Sequence, residues 1–385
     1  MRRERLTPRT DWQSKVESVG LTFHTPDGEP YWDESACYVF SAAEIDALEA
    51  AGNRLHALCL EAAQKVIDNG WWDRLAIPEV AVKPIVESWE RDEWGVYGRF
   101  DLAYDGYSPP KLLEYNADTP TSLVEAAVAQ WFWLEERYPN ADQFNTIHEK
   151  LIEAWRRLEH REVWFSTVRD FPEDEQTVAY MAEVCRQSGA EVNFLAIDEI
   201  GWNERRQGFM DLDEREIQAM FKLYPWEWMF AERFGEYVGH RKAATRWIEP
   251  PWKMLLSGKR LLPLLWELFP HHENLLPAYL EPAPLGTSYV KKPCWGREGA
   301  NVTLMEYGRA RVETAGSYDD GGYIFQAPAR LANFDGQYAV FGVWMVAGEA
   351  SGLGIREDTN PVTGNLSRFV PHLFTDHGWM PSGGS

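Results

Sequence analysis

The segment Gly98–Glu125 carries residue types suited to chemistry: Arg99 and Asp101 in one short run, Glu114 and Asn116 in the next. The runs Arg99–Tyr104 and Lys111–Asn116 alternate apolar and polar residues. They flank the turn Asp105-Gly106-Tyr107-Ser108-Pro109-Pro110, which predicts a hairpin with a longer loop. Folding it between Tyr107 and Ser108 sets Asp101 opposite Glu114 and Arg99 opposite Asn116. Side chains two apart share one face of a strand, so all four point the same way. Two facing carboxylates repel and weaken a sheet unless a cation lies between them. With an amide oxygen beside them they form a hard, all-oxygen set of the kind that holds Mg²⁺ next to substrate phosphates. A solvated polar face on an edge hairpin accounts for the same residues, and the hairpin alone leaves both readings open.

A second chemical signal lies far along the chain. Pro251-Trp252-Lys253 and Val290-Lys291-Lys292-Pro293 each supply lysine, and the second leads into the loop Cys294–Ala300 with Gly296 and Gly299. Glycine lets backbone N–H groups approach a polyphosphate closely, and Arg297 adds a donor suited to phosphate. The G-x-x-x-x-G-K-[ST] pattern is absent, so this is not a Walker loop. An exposed glycine-rich hairpin is the competing explanation.

Bulk composition narrows the classes. At 385 residues, with 45% apolar content, the chain can bury a large core in two or three lobes and is not largely disordered. A net charge of −22 argues against duplex nucleic acid, which binds through clustered Lys and Arg, and is compatible with a cationic substrate. Cys37, Cys59, Cys185 and Cys294 are widely spaced, suggesting neither a zinc site nor a disulfide framework. Cys294 reads as a small packing residue. The opening Met-Arg-Arg-Glu-Arg-Leu-Thr has no apolar h-region and no run reaches membrane-spanning length, so a soluble cytoplasmic protein without membrane or nucleic-acid partners is expected. The 19 tryptophans, including Trp131, Trp133, Trp226 and Trp228, are expected mainly to pack helices against the core.

The elements that must position these residues are of mixed type. Ser41-Ala-Ala-Glu44 is a capping box opening a long helix that Asn69-Gly70 ends. Further helices are expected from Thr121-Ser122 through Leu134 and over 143–160. Strands over Val163–Val168 and Glu191–Ile197 enclose a helix over Glu175–Ser188, which predicts a small parallel lobe. It lacks G-x-G-x-x-G, so a dinucleotide site is not supported. From Tyr289 onward the pattern becomes strand-rich, with Tyr338–Val346 turning through Ala347-Gly348-Glu349 into Gly352–Arg356. The tail Pro381–Ser385 is expected to fray.

Gly-Arg-Phe-Asp-Leu, Leu-Leu-Glu-Tyr-Asn-Ala-Asp-Thr-Pro-Thr-Ser, Lys-Leu-Tyr-Pro-Trp-Glu-Trp-Met (222–229), Glu-Pro-Pro-Trp-Lys (249–253), Arg-Glu-Gly-Ala-Asn (297–301) and Gly-Ile-Arg-Glu-Asp (354–358) occur in that order. Together they strongly resemble the glutathionylspermidine synthase family, and in particular its stand-alone bacterial synthetases, which lack the amidase domain. The resemblance implies an α/β (α+β) ATP-grasp fold with a small inserted parallel α/β lobe of pre-ATP-grasp type. It divides the chain into 1–145 with the metal hairpin, the lobe 146–225, and the nucleotide-binding part 226–385.

The resemblance also implies roles. Asp101, Glu114 and Asn116 match metal ligands, and Arg99 matches an arginine near the transferred phosphate. Lys253 and Lys292 match nucleotide lysines, while Arg297, Glu298, Gly299 and Ala300 fall in the phosphate-covering loop. Gln326 matches the adenine-side hinge and Gln337 a ribose-side contact. Arg356 matches an arginine holding the acid substrate or phosphate; by itself it reads as an ion pair with Glu357 or Asp358. Thr119, Thr121, Asp174 and Glu175 fall where substrate contacts are expected, and Glu175 or Glu227 is a candidate for holding the amine and taking its proton. The implied activity is ATP- and Mg²⁺-dependent ligation of a peptide carboxylate to a polyamine or similar amine through an acyl phosphate. Two other readings are a nucleotide-binding partner protein that has lost ligation and a tryptophan-rich carbohydrate-binding module.

Overall fold

The computed structural model describes residues 1–240, 245–318 and 321–375, so the Pro381–Ser385 tail lies outside the described residues. Strands Tyr97–Ala103 and Lys111–Asn116 form the expected hairpin, with Arg99 opposite Asn116 and Asp101 opposite Glu114. A bulge then shifts the register between Asp101 and Leu102, so that Leu102 faces Leu112. The alternation separates two faces. Phe100 and Tyr115 stack with centroids 3.8 Å apart in the apolar core, while the four polar residues look the other way.

This hairpin is not an isolated edge. Its Tyr97–Ala103 strand pairs antiparallel with Gln337–Val346, placing Asp101 opposite Gly342 and Arg99 opposite Trp344. Gln337–Val346 in turn pairs with Glu349–Asp358 through a two-residue turn in which Ala347 and Gly348 have φ of 48° and 89°. A Cβ on Gly342 would lie 2.8 Å from Arg99 Cδ. Glycine there lets the arginine lie flat across the sheet. On the core side the capping-box helix Ala42–Asn69 covers the same sheet, begun by Ser41 and Glu44 and ended by Gly70 in the left-handed conformation.

A second, antiparallel sheet runs in the order Ala278–Tyr279, Tyr323–Gln326, Tyr289–Pro293, Thr303–Glu306, Arg309–Glu313. It carries Lys292 and Gln326, and the loop 294–300 hangs between its Tyr289–Pro293 and Thr303–Glu306 strands. The small lobe is a four-stranded parallel sheet in the order Arg246–Ile248, Ala219–Leu223, Glu162–Thr167, Glu191–Ala196. Sheet pairing therefore crosses the boundaries expected at 145 and 226. The hairpin belongs with strands near residue 340, and the lobe's last strand ends at Ile248.

Two helices differ from their expected spans. The one foreseen over 143–160 is confined to Ile147–Arg156. Residues ahead of it are drawn into pairing with the 350s, where Thr146 donates to the Ser351 carbonyl (2.7 Å) and Leu353 to that of Phe144 (2.9 Å). The helix of the small lobe starts earlier, at Pro172, whose missing N–H suits a first turn. All four cysteines are buried and free. Among the described residues, no helix is long and apolar enough to cross a membrane.

Candidate active site

The polar face of the hairpin opens on a cavity of about 310 Å³ between the two antiparallel sheets. Val290, Leu304, Ala327 and Val340 give it apolar walls, and Asp101, Glu114, Lys259, Lys292, Arg297, Gly299 and Ala300 a charged end. Lys292 Nζ donates to Gln326 Oε1 (2.8 Å) and to the Leu113 carbonyl (2.9 Å). The Gln326 amide nitrogen donates to the Leu112 carbonyl (2.9 Å), tying the second sheet to the hairpin. An apolar slot ending in fixed cations and backbone amides suits a flat base with a polyphosphate.

Electrostatics at the charged end are mutual. Burial works to raise the Glu114 carboxyl, but Lys259 and Lys292 outweigh it and bring it down to about 2. Burial lowers Lys292 to about 8 despite the attraction of Glu114. Arg99 grips Asp101 with two hydrogen bonds (2.6 and 3.0 Å), donates to the Thr121 carbonyl (2.7 Å) and lies over the Trp344 ring. The Asn116 side-chain nitrogen stands 3.1 Å from Asp101 Oδ2 and 3.4 Å from Glu114 Oε1. Turning that amide over would put its oxygen beside both carboxylates, completing the three-oxygen set on one face. Among the described residues no cluster of three His, Cys, Asp or Glu stands ready as a cage. A cation here would complete its shell with phosphate oxygens and water, which fits Mg²⁺ better than a metal that needs an all-protein site.

A wider cavity of about 540 Å³ joins this one at Arg297, Asp101 and Glu114. Arg99, Arg356, Thr119 and Thr121 line it together with Glu173, Asp174 and Glu298. Burial, with Glu173 next, raises Asp174 to about 7. Arg356 does not pair with Glu357, which is taken by Arg3, Tyr38 and Arg368. It donates instead to the carbonyls of Gly364 and Asn365.

Several expected site residues stand elsewhere. Lys253 lies outside the cavity between the two antiparallel sheets: it is buried against Glu249 (2.8 Å) and the Tyr97 carbonyl, beside a separate cavity of about 710 Å³. Glu249 accepts from the amides of Val96 and Tyr97 (both 3.0 Å), so Glu-Pro-Pro-Trp-Lys anchors the start of the hairpin. Gln337 also lies outside. Tyr338 and Val340 line the cavity, and strand alternation turns Gln337 to the other face, where it accepts from Arg368. Glu298 faces the wide cavity, whereas Gly299 and Ala300 border the nucleotide space. Glu175 accepts from the Asp170 amide (3.1 Å) in the turn ahead of its helix and lines neither cavity. Glu227 is paired with Arg297 (2.7 Å), which also donates to Thr119 Oγ1.

Lys259 is the residue sequence reading missed. It follows the break at Gly258 between helices Met254–Ser257 and Leu261–Leu268 and reaches Glu114 at 3.1 Å. The available signal was the Ser-Gly-Lys-Arg turn six residues beyond Lys253, at a helix boundary.

Residues 3–375 match the model of the family described as glutathionylspermidine synthase preATP-grasp. The chain belongs to the glutathionylspermidine synthase family. A proposed acid–amine ligase of Haemophilus influenzae is 41% identical over 95% of this chain and 97% of its own length. The bifunctional glutathionylspermidine synthetase/amidase of Escherichia coli is 28% identical over 87% of this chain, and the trypanothione synthetase of Crithidia fasciculata 29% identical over 83%. This chain spans just over half of each of those two, 58% and 54% respectively. The apo structure of a glutathione synthetase-like effector from Globodera pallida is similar in fold, with a TM-score of 0.58 at 11% identity, over 95% of this chain and 96% of that one. The chain is accordingly an ATP-dependent acid–amine ligase with an ATP-grasp fold and small-molecule substrates.

Proposed function

We propose that this ligase activates a peptide carboxylate as an acyl phosphate and transfers the acyl group to a polyamine or similar amine, with Mg²⁺ as the required ion. The observation that carries the reading is the junction of the two cavities. There the cationic end of the nucleotide slot, with Lys259, Lys292 and Arg297, meets a wider space lined both by Arg99 and Arg356 and by the carboxylates Glu173, Asp174 and Glu298. An anionic acid and a cationic amine find complementary charge within one enclosure.

Asp101, Glu114 and Asn116 would hold the ion, which supplies charge neutralisation at the transferred phosphate. Lys292, Lys259 and Arg297 bind and orient the phosphates. The carboxylate oxygen forms a bond to the γ-phosphorus as the bond to the bridging oxygen breaks and ADP leaves. Arg99 and Arg356 border the acid and spread its charge. The neutral amine then attacks the acyl carbon, phosphate departs, and Asp174, held near neutral pH, is placed to take the amine proton.

The test is incubation of the protein with ATP, Mg²⁺ and a pooled metabolite extract, read by mass spectrometry. The expected products are lighter by one water than the sum of an acid and an amine in the extract. Nucleotide turnover without any such product would overturn the ligation partners proposed here.

A further inference from the structure

We propose that Glu227 is a positioning residue: it fastens the phosphate-covering loop to the small lobe through Arg297 and so holds the nucleotide slot shut. The inference rests on the reading of Arg297 as a phosphate contact. Arg297 borders the nucleotide cavity, the wide cavity and a small recess that Glu227 and Thr119 also line. Its guanidinium is held by the Glu227 carboxylate at 2.7 Å and by the Thr119 hydroxyl, and lies over the Trp228 ring, 5.5 Å from its centroid.

The other loop contacts stay within the nucleotide-binding part. The Thr314 hydroxyl donates to the Gly299 carbonyl, and Lys259 Nζ to that of Gly296. Arg297 is the contact among these that crosses to helix Trp226–Ala231, which lies between the parallel-sheet strands Ala219–Leu223 and Arg246–Ile248. The receiving end is itself fixed. Asp118, just beyond the hairpin, accepts from the Trp226 amide (2.9 Å) and from Lys222 Nζ (2.9 Å), and the Lys222 ammonium sits 4.1 Å from the Trp226 ring centroid. Glu227 is thus carried on a turn locked to the metal hairpin. Its second oxygen, Oε2, is buried and has no hydrogen-bond partner among the described residues, so its one hydrogen-bonding commitment in this state is to Arg297. A carboxylate left there without the arginine would lose its one charge-assisted hydrogen bond, which makes the contact costly to open.

The test compares wild type, Glu227→Gln and Thr119→Val by amide hydrogen exchange over residues 294–301, which needs no nucleotide. Loss of a charge-assisted contact is expected to speed exchange there about tenfold, to weaken binding of a non-hydrolysable ATP analogue about tenfold, and to leave exchange elsewhere and the thermal midpoint unchanged. In an Arg297→Met background, Glu227→Gln is expected to have no further effect on either readout. Unchanged loop exchange in both single variants, or effects that add in the double variant, overturns the proposal. Should Glu227→Gln fail to fold, Thr119→Val carries the same comparison. Wild-type protein that does not bind the analogue would count against the nucleotide-site reading, whereas a binding wild type with an unaltered loop in the variants defeats the latch alone.

Discussion

Lys259 Nζ stands 3.1 Å from Glu114 Oε2, joining a turn between two short helices to the polar face of the hairpin. The pair keeps Glu114 ionised in a buried position, ready to accept a divalent ion without a change of protonation. Glu114→Ala is expected to reduce ATP turnover by more than about a hundredfold while leaving the fold intact. ADP release and circular dichroism measure the two. Normal turnover in a folded variant would sink the metal assignment.

The two lysines six positions apart should separate cleanly. Lys259→Met removes a cation from the nucleotide cavity and is expected to weaken ATP binding about tenfold or more with little loss of stability. Lys253→Met leaves the fully buried Glu249 carboxylate unpaired, so it should destabilise the protein by about 3–5 kcal/mol. Calorimetric titration with ATP and urea unfolding of both variants make the comparison; equal effects on affinity would put Lys253 back at the nucleotide.

Glu125 gives a pH dependence of defined sign. Burial, with Glu173 beside it, raises its carboxyl from 4.5 to about 7. The native state therefore keeps a proton that the unfolded chain releases from about pH 4.5 upward. This contribution to stability is complete below that pH and is lost as pH rises to about 7, a difference on the order of 3 kcal/mol. Between pH 5 and 8, Glu125→Gln is expected to lose less stability than wild type. Parallel stability curves for the two proteins would refute the assignment.

Gly299 has φ of +67°, and a Cβ added to it would lie 2.3 Å from the Thr363 carbonyl oxygen. Gly299→Ala must therefore displace the loop from the 359–367 connection that covers it. The expected result is a rise of about tenfold in KM for ATP with the thermal midpoint little changed. An unaltered KM would mean that the loop does not close on the nucleotide.

Sequence carried the local relationships well. Alternation and a turn were enough to set Asp101 against Glu114, since one register satisfies both faces of the hairpin. The Ser41 capping box and Gly70 fixed both ends of one helix because those signals act within a single turn. What sequence could not carry was which distant segments meet. Lys253 and Lys259 are equally plausible as cations; burial of Glu249 draws one inward, and the break at Gly258 turns the other toward Glu114. Gln337 fell to parity, because a one-residue offset along a strand changes the face. Residues 143–146 have helical spacing, yet their backbone groups are taken by Ser351 and Leu353, a long-range competition no window of sequence records.

The pairing of residues 97–102 with 341–346 has a further consequence for how the protein is made. On a ribosome, the strand bearing Arg99 and Asp101 emerges long before its neighbour, and until then it presents an open hydrogen-bonding edge. The acidic pair is thus complete early but unframed, and Gly342, over which Arg99 lies, arrives near the end of synthesis. Partial chains lacking residues 341–346 therefore cannot frame the polar face. The same order makes the unprotected edge a point at which a stalled chain is exposed to aggregation.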